Sequence, residues 1–189
     1  MRVIAGTCKG RQLRSPGWEG LRPTSDRLRE TLFNVLAPRI EGARLLDLFA
    51  GTGAIGIEAL SRGASHVTFV ERDPRAVALI EDNLRHCGMA KGYAIIRGDA
   101  GRFLRTVPAG QPFDLIVLDP PYAAEADTRV ALAAAAGHLA GDGLLVLERG
   151  TRHTPPVVAG LERVRDLRSG DSTLSFYERR AAAAEDAER

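Results

Sequence analysis

Asp119-Pro120-Pro121-Tyr122 concentrates hydrogen-bond acceptors beside an aromatic plane. The two prolines remove two backbone donors and stiffen the turn, leaving the Asp119 carboxylate and the Pro120 carbonyl as acceptors. That set suits a planar exocyclic amine, a poor nucleophile because its lone pair is delocalised into the ring. Two acceptors holding both N–H bonds help the nitrogen to pyramidalise, and Tyr122 can stack on the base and fix its plane. Methyl transfer to such a nitrogen needs in-line approach, and positioning supplies much of the rate. No metal and no covalent nucleophile is required. The competing reading of the same four residues is a rigid turn with a buried tyrosine.

A second motif lies upstream. Leu45-Leu46-Asp47-Leu48-Phe49-Ala50 reads as a buried strand, and residues 51–56 spell G-x-G-x-x-G at the start of a helix. Glu71 follows 20 positions after Gly51, at the end of the next strand. In this context the backbone at Gly51 and Gly53 can approach a ligand closely, and an acid can grip ribose hydroxyls. A nicotinamide dinucleotide site fits the same description. Two details favour S-adenosylmethionine. Asp47 stands before the loop, where it would repel a pyrophosphate but attract a cationic methionine end. Gly98-Asp99-Ala100 ends a further strand, where a carboxylate could accept from an adenine amino group. The candidate cofactor residues are therefore Asp47, Gly51, Gly53, Glu71, Asp99 and Ala100, with Asp119, Pro120 and Tyr122 as candidate catalytic residues.

These residues need a frame that brings strand ends together. Arg44–Phe49, Val67–Val70, Tyr93–Arg97, Phe113–Leu118 and Gly143–Glu148 are apolar runs of strand length. Helical patterns lie between them at Ala54–Arg62, Pro74–Cys87, Ala100–Thr106 and Glu125–Leu139. The alternation makes βαβ units, an α/β Rossmann-like fold whose mostly parallel sheet is covered on both faces. Arg163–Arg168 and Thr173–Arg179, joined by Ser169-Gly170-Asp171-Ser172, predict a closing antiparallel hairpin. The domain so defined spans 41–180, and 181–189 is expected to be a disordered tail.

Residues 1–40 read as a separate basic extension, a small hairpin (Arg2–Ala5 with Gln12–Arg14) followed by a helix. Thr24 or Ser25 can cap that helix, which carries Leu28, Leu32, Val35 and Leu36 on one face. Its other faces show Arg27, Arg29 and Asn34, with Arg22 just before it. Over residues 1–39 eight Lys/Arg stand against three Asp/Glu, so the rest of the chain, from totals of 26 and 24, holds 18 against 21. All the cations except Lys9 and Lys91 are arginine, whose planar fork suits phosphate contact and base stacking. Among weaker candidates, Trp18 reads as a base-stacking residue or a loop anchor, and His66 and His138 as structural. Phe33 and Asn34 could line a target pocket, though Phe33 reads equally as core. Glu58 and Arg62, at i,i+4 spacing, read as a surface ion pair.

The 189 residues suffice for one domain and an appendage without disulfide or metal. Cys8 and Cys87 have no metal-ligand spacing and fit a reducing compartment. No run approaches the length of a membrane span, and the apolar start is too short for a signal peptide. The expectation is a cytoplasmic monomer without contact to membrane.

Asp47–Gly56, Glu71, Asp99 and Asp119–Tyr122 together resemble the motifs of class I S-adenosylmethionine-dependent amino-methyltransferases. The front end narrows the resemblance. Arg2-Val3-Ile4-Ala5-Gly6, Lys9-Gly10-Arg11, Arg22-Pro23-Thr24, Arg27-Leu28-Arg29-Glu30 and Leu32-Phe33-Asn34 resemble the bacterial 16S ribosomal RNA guanine-N2 methyltransferases that act on guanine 966. The resemblance runs from residue 1 to about 180. It implies a seven-stranded sheet with its last strand antiparallel, S-adenosylmethionine as cofactor, and 16S ribosomal RNA in assembled or partly assembled small subunits as substrate. It implies that Gly51 and Gly53 approach the methionine portion, Glu71 holds the ribose and Asp99 reads the adenine. Asp119 and Pro120 would hold the target amine, with Tyr122 stacked on the base. Arg2, Lys9, Arg11, Arg22, Thr24 and Arg27 would contact RNA. The turn Arg168-Ser169-Gly170-Asp171 departs from the more lysine-rich pattern expected there. Three alternatives stay open on the residues alone: an adenine-N6 methyltransferase, a nicotinamide-dependent oxidoreductase and a non-catalytic assembly factor.

Overall fold

The computed structural model describes residues 1–18, 24–108, 110–121 and 125–180. Tyr122, Arg22 and the 181–189 tail, each given a role above, lie outside the described residues. Strands β1 (Arg44–Leu48), β2 (His66–Glu71), β3 (Tyr93–Arg97), β4 (Phe113–Leu118), β5 (Leu139–Gly150), β6 (Leu161–Ser169) and β7 (Ser172–Arg179) form one seven-stranded sheet. Its order is β3-β2-β1-β4-β5-β7-β6. Only β7 runs against its neighbours, pairing antiparallel with both β5 and β6. The expected fold class is therefore the observed one. Helices α1 (Asp26–Leu36), α2 (Ala54–Ser61), α3 (Pro74–His86), α4 (Ala100–Thr106) and α5 (Glu125–Ala136) complete the fold. Among the described residues no helix is long and apolar enough to cross a membrane.

Successive strand residues feed two separate cores, as strands buried on both faces must. Leu45, Val67, Leu115 and Val146 point to one side and pack with Leu32, Phe33, Ile57 and Leu84. Leu46, Ile116 and Leu145 point to the other, against Leu104 and Leu132. Helix α5 ends at Ala136, not Leu139: the N–H groups of Gly137 and His138 turn back to Ala134 and Ala135 in tight closures, and β5 begins at once. Its early start is accommodated by a register shift against β4 between Phe113 and Leu115.

The first 40 residues share the first core. Val3, Cys8, Leu13, Leu28, Phe33 and Ile40 are buried in it, so Phe33 is core. The expected hairpin reduces to one antiparallel bridge, Arg2 with Gln12. Ser25, not Thr24, caps α1, its Oγ accepting from Leu28 N at 3.2 Å. Two sequence readings fail here. Glu58 is fully buried and not a surface residue: Oε2 accepts from Ile4 N at 2.7 Å and Oε1 from Ala5 N at 3.0 Å. Arg29 is buried as well, its Nη2 donating to Arg2 O and to Asp26 Oδ1, each at 2.7 Å.

Candidate functional site

The strands of a parallel α/β sheet end on one edge, and the candidate residues gather there. Asp47 is on β1, Glu71 ends β2, Asp99 follows β3, Asp119 follows β4 and Glu148 lies near the end of β5. A cavity of about 740 Å³ opens at this edge, walled by Glu71, Asp99, Ala100, Asp119 and Pro120 among others. Glu71, Asp99 and Ala100, meant for a cofactor, thus share one space with Asp119 and Pro120, meant for an amine, while Asp47, Gly51 and Gly53 are not on its wall.

The glycine loop is shaped by what surrounds it. Gly53, at φ +75°, is the residue from which α2 starts, a left-handed conformation that favours glycine. A Cβ on Gly56 would come within 2.2 Å of the Phe69 ring, so only glycine lets α2 lie this close to β2. Phe49, on the cavity wall, also adopts a positive φ of 64°, a strained backbone of the kind that collects at functional sites. Glu71 ties the loop down, Oε2 accepting from Gly51 N and Oε1 from Asp73 N, each at 2.8 Å. Each oxygen keeps a lone pair for a ligand. Asp99 caps α4 through Oδ1, which accepts from Arg102 N at 2.9 Å.

Asp47 is buried behind the loop, its Oδ2 accepting from Gly56 N at 3.0 Å while Oδ1 has no hydrogen-bond partner. Burial pushes its carboxyl up to about 8; the Gly56 N–H opposes this, and the Asp119 and Glu71 carboxylates add to it. An acid that holds its proton more tightly folded than unfolded stabilises the fold below its ordinary value. That contribution is lost as pH rises from about 4 to about 8. Asp47→Asn keeps an acceptor for Gly56 and removes the charge. It should raise Tm by about 4–8 °C at pH 8.5, from about 2 kcal/mol of relieved strain, and by almost nothing at pH 4. Thermal melts of both proteins across that range check this.

Asp119 faces the cavity. The Thr24 hydroxyl donates to its Oδ2, and Glu148 stands beside it on the next strand. Burial holds Asp119 above the usual carboxylate range, against the pull of the Thr24 hydroxyl. Thr24, expected to face RNA, is thus brought to the Asp119 carboxyl, with Arg27 beside it on the cavity wall. Lys9 and Arg11 are not brought there. Arg11 Nη1 donates to His86 O at the far end of α3, and the backbone beside Lys9 bonds to Ser61 at the end of α2. Both ends lie at the opposite edge of the sheet. Arg2 is exposed and held in its bridge.

Sequence reasoning missed Glu148 and left Trp18 undecided. Trp18 stands on the cavity wall with the Arg75 guanidinium 5.0 Å over its ring. The turn Ser169–Ser172 is wall too, and Ser172 Oγ donates to Glu148 Oε1 at 2.9 Å. The signal for Glu148 was present: an apolar strand ending in an acid, as at Glu71.

A family model described as conserved hypothetical protein 95 matches residues 1–178. Ribosomal RNA small subunit methyltransferase D of Escherichia coli strain K12 is 36% identical over 190 residues, covering 100% of this chain and 94% of the relative. The Bacillus subtilis protein YlbH is 37% identical over 183 residues, 95% of this chain and 100% of the relative. The solved structure of Escherichia coli yhhF, 34% identical, superposes with a TM-score of 0.81 over 96% of this chain and 99% of that one. On fold, site and these likenesses, the chain belongs to the family of the ribosomal RNA small subunit methyltransferase D proteins.

Proposed function

We propose that this protein transfers a methyl group from S-adenosylmethionine to the exocyclic N2 amine of guanine 966 in 16S ribosomal RNA. The observation that carries the reading is the single cavity with Glu71 and Asp99 at one end and Asp119 and Pro120 at the other. Its walls are rich in carboxyl groups, which fits a ligand that brings positive charge and hydrogen-bond donors. Glu71 would hold the ribose hydroxyls, Asp99 and Ala100 the adenine, and the backbone at Gly51 and Gly53 the methionine portion, with Asp47 bracing the glycine loop from behind through Gly56 N. When bound, S-adenosylmethionine supplies an electrophilic methyl group.

The protein's own contribution is positioning and proton management. Asp119 and the Pro120 carbonyl accept the two N–H bonds of the amine, turning its lone pair toward the methyl group. As the N–C bond forms, the nitrogen sheds a proton, which the Asp119 carboxylate takes. Tyr122 would stack on the base, and Thr24, Arg22 and Arg27 would border the RNA. Arg2, Lys9 and Arg11 would meet more distant RNA. A chain of 189 residues that reaches a second sheet edge with its N-terminal segment suits a folded, partly assembled subunit better than a short strand.

Purified protein, labelled S-adenosylmethionine and unmethylated small subunits test this, with naked 16S RNA and duplex DNA run beside them. Label in N2-methylguanosine from subunits is the expected result. Label in N6-methyladenine overturns the choice of base, and no label with cofactor bound favours an assembly role. Thr24→Val adds a pH signature. Loss of the hydroxyl removes a bond that lowers the Asp119 value, so the rise of kcat with pH, which needs ionised Asp119, should move to higher pH. The pH–rate profile of the variant reads this directly.

A further inference from the structure

Glu148 is the one buried acid on the cavity wall to which the proposed chemistry gives no work. It lies on β5 beside the catalytic turn: Leu147 pairs with Leu118, so Glu148 and Asp119 are the next residues on adjacent parallel strands. Only 7% of Glu148 is exposed, yet it reaches the cavity. Ser172 on β7 fixes Oε1. That register sets the two carboxyl groups side by side on the wall of the same ligand space.

Two adjacent carboxyl groups ask for two adjacent donors. Guanine offers them: its Watson–Crick edge carries N1–H next to the N2 amine. Adenine presents an acceptor at N1 beside its N6 amine and would turn a lone pair toward a carboxylate. We propose that Glu148 reads guanine by accepting its N1–H while Asp119 holds the N2 amine, which makes Glu148 the residue that selects the base. This rests on the guanine-N2 reading above.

The test uses small subunits reconstituted with guanine or with 2-aminopurine at the target position. 2-Aminopurine keeps the C2 amine but has an acceptor at N1. A site built to accept an N–H rejects an analogue without it strongly. The wild type should therefore favour guanine by roughly 10³-fold or more in kcat/KM. Glu148→Gln can turn its amide to donate to N1, so its preference should fall to roughly tenfold or less. Absence of O6 from 2-aminopurine burdens both proteins equally and cancels in the comparison. Binding of S-adenosylhomocysteine and a cooperative melt establish that the variant is folded. Should it not fold, Ser172→Ala, which leaves the carboxylate but frees it, should lower the preference about tenfold. An unchanged preference in a folded variant, with both rates reduced together, overturns the inference and leaves Glu148 a support for Asp119. A wild type that does not methylate guanine-bearing subunits at all overturns the guanine reading itself, and this inference with it.

Discussion

Asp119→Ala should lower kcat for methylation of small subunits by about 10³-fold or more, with the affinity for S-adenosylhomocysteine changed less than about threefold. The split follows from where the groups sit. Glu71 and Asp99 stand on the cavity wall at β2 and β3 and bond to the loop and helix beside them, and none of these bonds involves Asp119. Asp119 follows β4, where it would align the amine and take its proton. Both roles are lost together on truncation, because Pro120 offers only a carbonyl and cannot accept a proton at neutral pH. Folding should change little. Thr24 loses its acceptor but is only half-buried and can turn to water, and one of the carboxylates crowding Asp47 disappears. Single-turnover methylation and calorimetry with S-adenosylhomocysteine, on the same preparation, measure the two quantities. A rate within tenfold of wild type would mean that another group holds the amine.

The frame of this site was legible because its signals are local. Apolar runs alternating with helical patterns set the parallel sheet, and Ser169–Ser172 between two strand patterns set the antiparallel β7. Strand ends then placed Glu71, Asp99 and Asp119 on one edge without knowledge of any contact. What the sequence hid depends on partners far along the chain. The resemblance set Thr24 beside the RNA near the target, and nothing local reveals that its hydroxyl meets a carboxylate 95 positions away. Glu148 reads as an ordinary acid at a strand end until β4 and β5 are in register. Lys9 and Arg11 read as part of one basic extension with Arg27. Only the path of the first segment, across the ends of α2 and α3, moves them to the other edge of the sheet.

The same segment explains the largest effect on stability. Glu58→Ala should destabilise the fold by about 3–5 kcal/mol and lower Tm by about 10 °C or more. By spacing alone, Glu58 pairs with Arg62 on a helix surface, a contact whose loss costs a few tenths of a kcal/mol. Burial changes its weight. The carboxylate accepts the backbone N–H groups of Ile4 and Ala5 and the Arg62 Nε at 2.7 Å, and it lies 3.7 Å from the buried Arg29 guanidinium. Truncation leaves two backbone donors without their acceptor and Arg29 with Asp26 as its remaining counter-charge, and water reaches the buried groups poorly. The two contributions can be separated. Adding Arg29→Met to Glu58→Ala removes the buried charge that has lost one of its two acidic partners but not the two orphaned donors, so the double variant should recover part of the loss and remain about 1–3 kcal/mol below wild type. Denaturant unfolding of the three proteins reads this. Full recovery would make the ion pair the whole effect; no recovery would place it in the anchoring of residues 4 and 5. That anchoring matters beyond stability. Arg2 O, held by Arg29, and Asp26 on α1 meet at the same guanidinium, so the contact that fastens the first segment also fixes the helix that begins two residues after Thr24, whose hydroxyl bonds to Asp119.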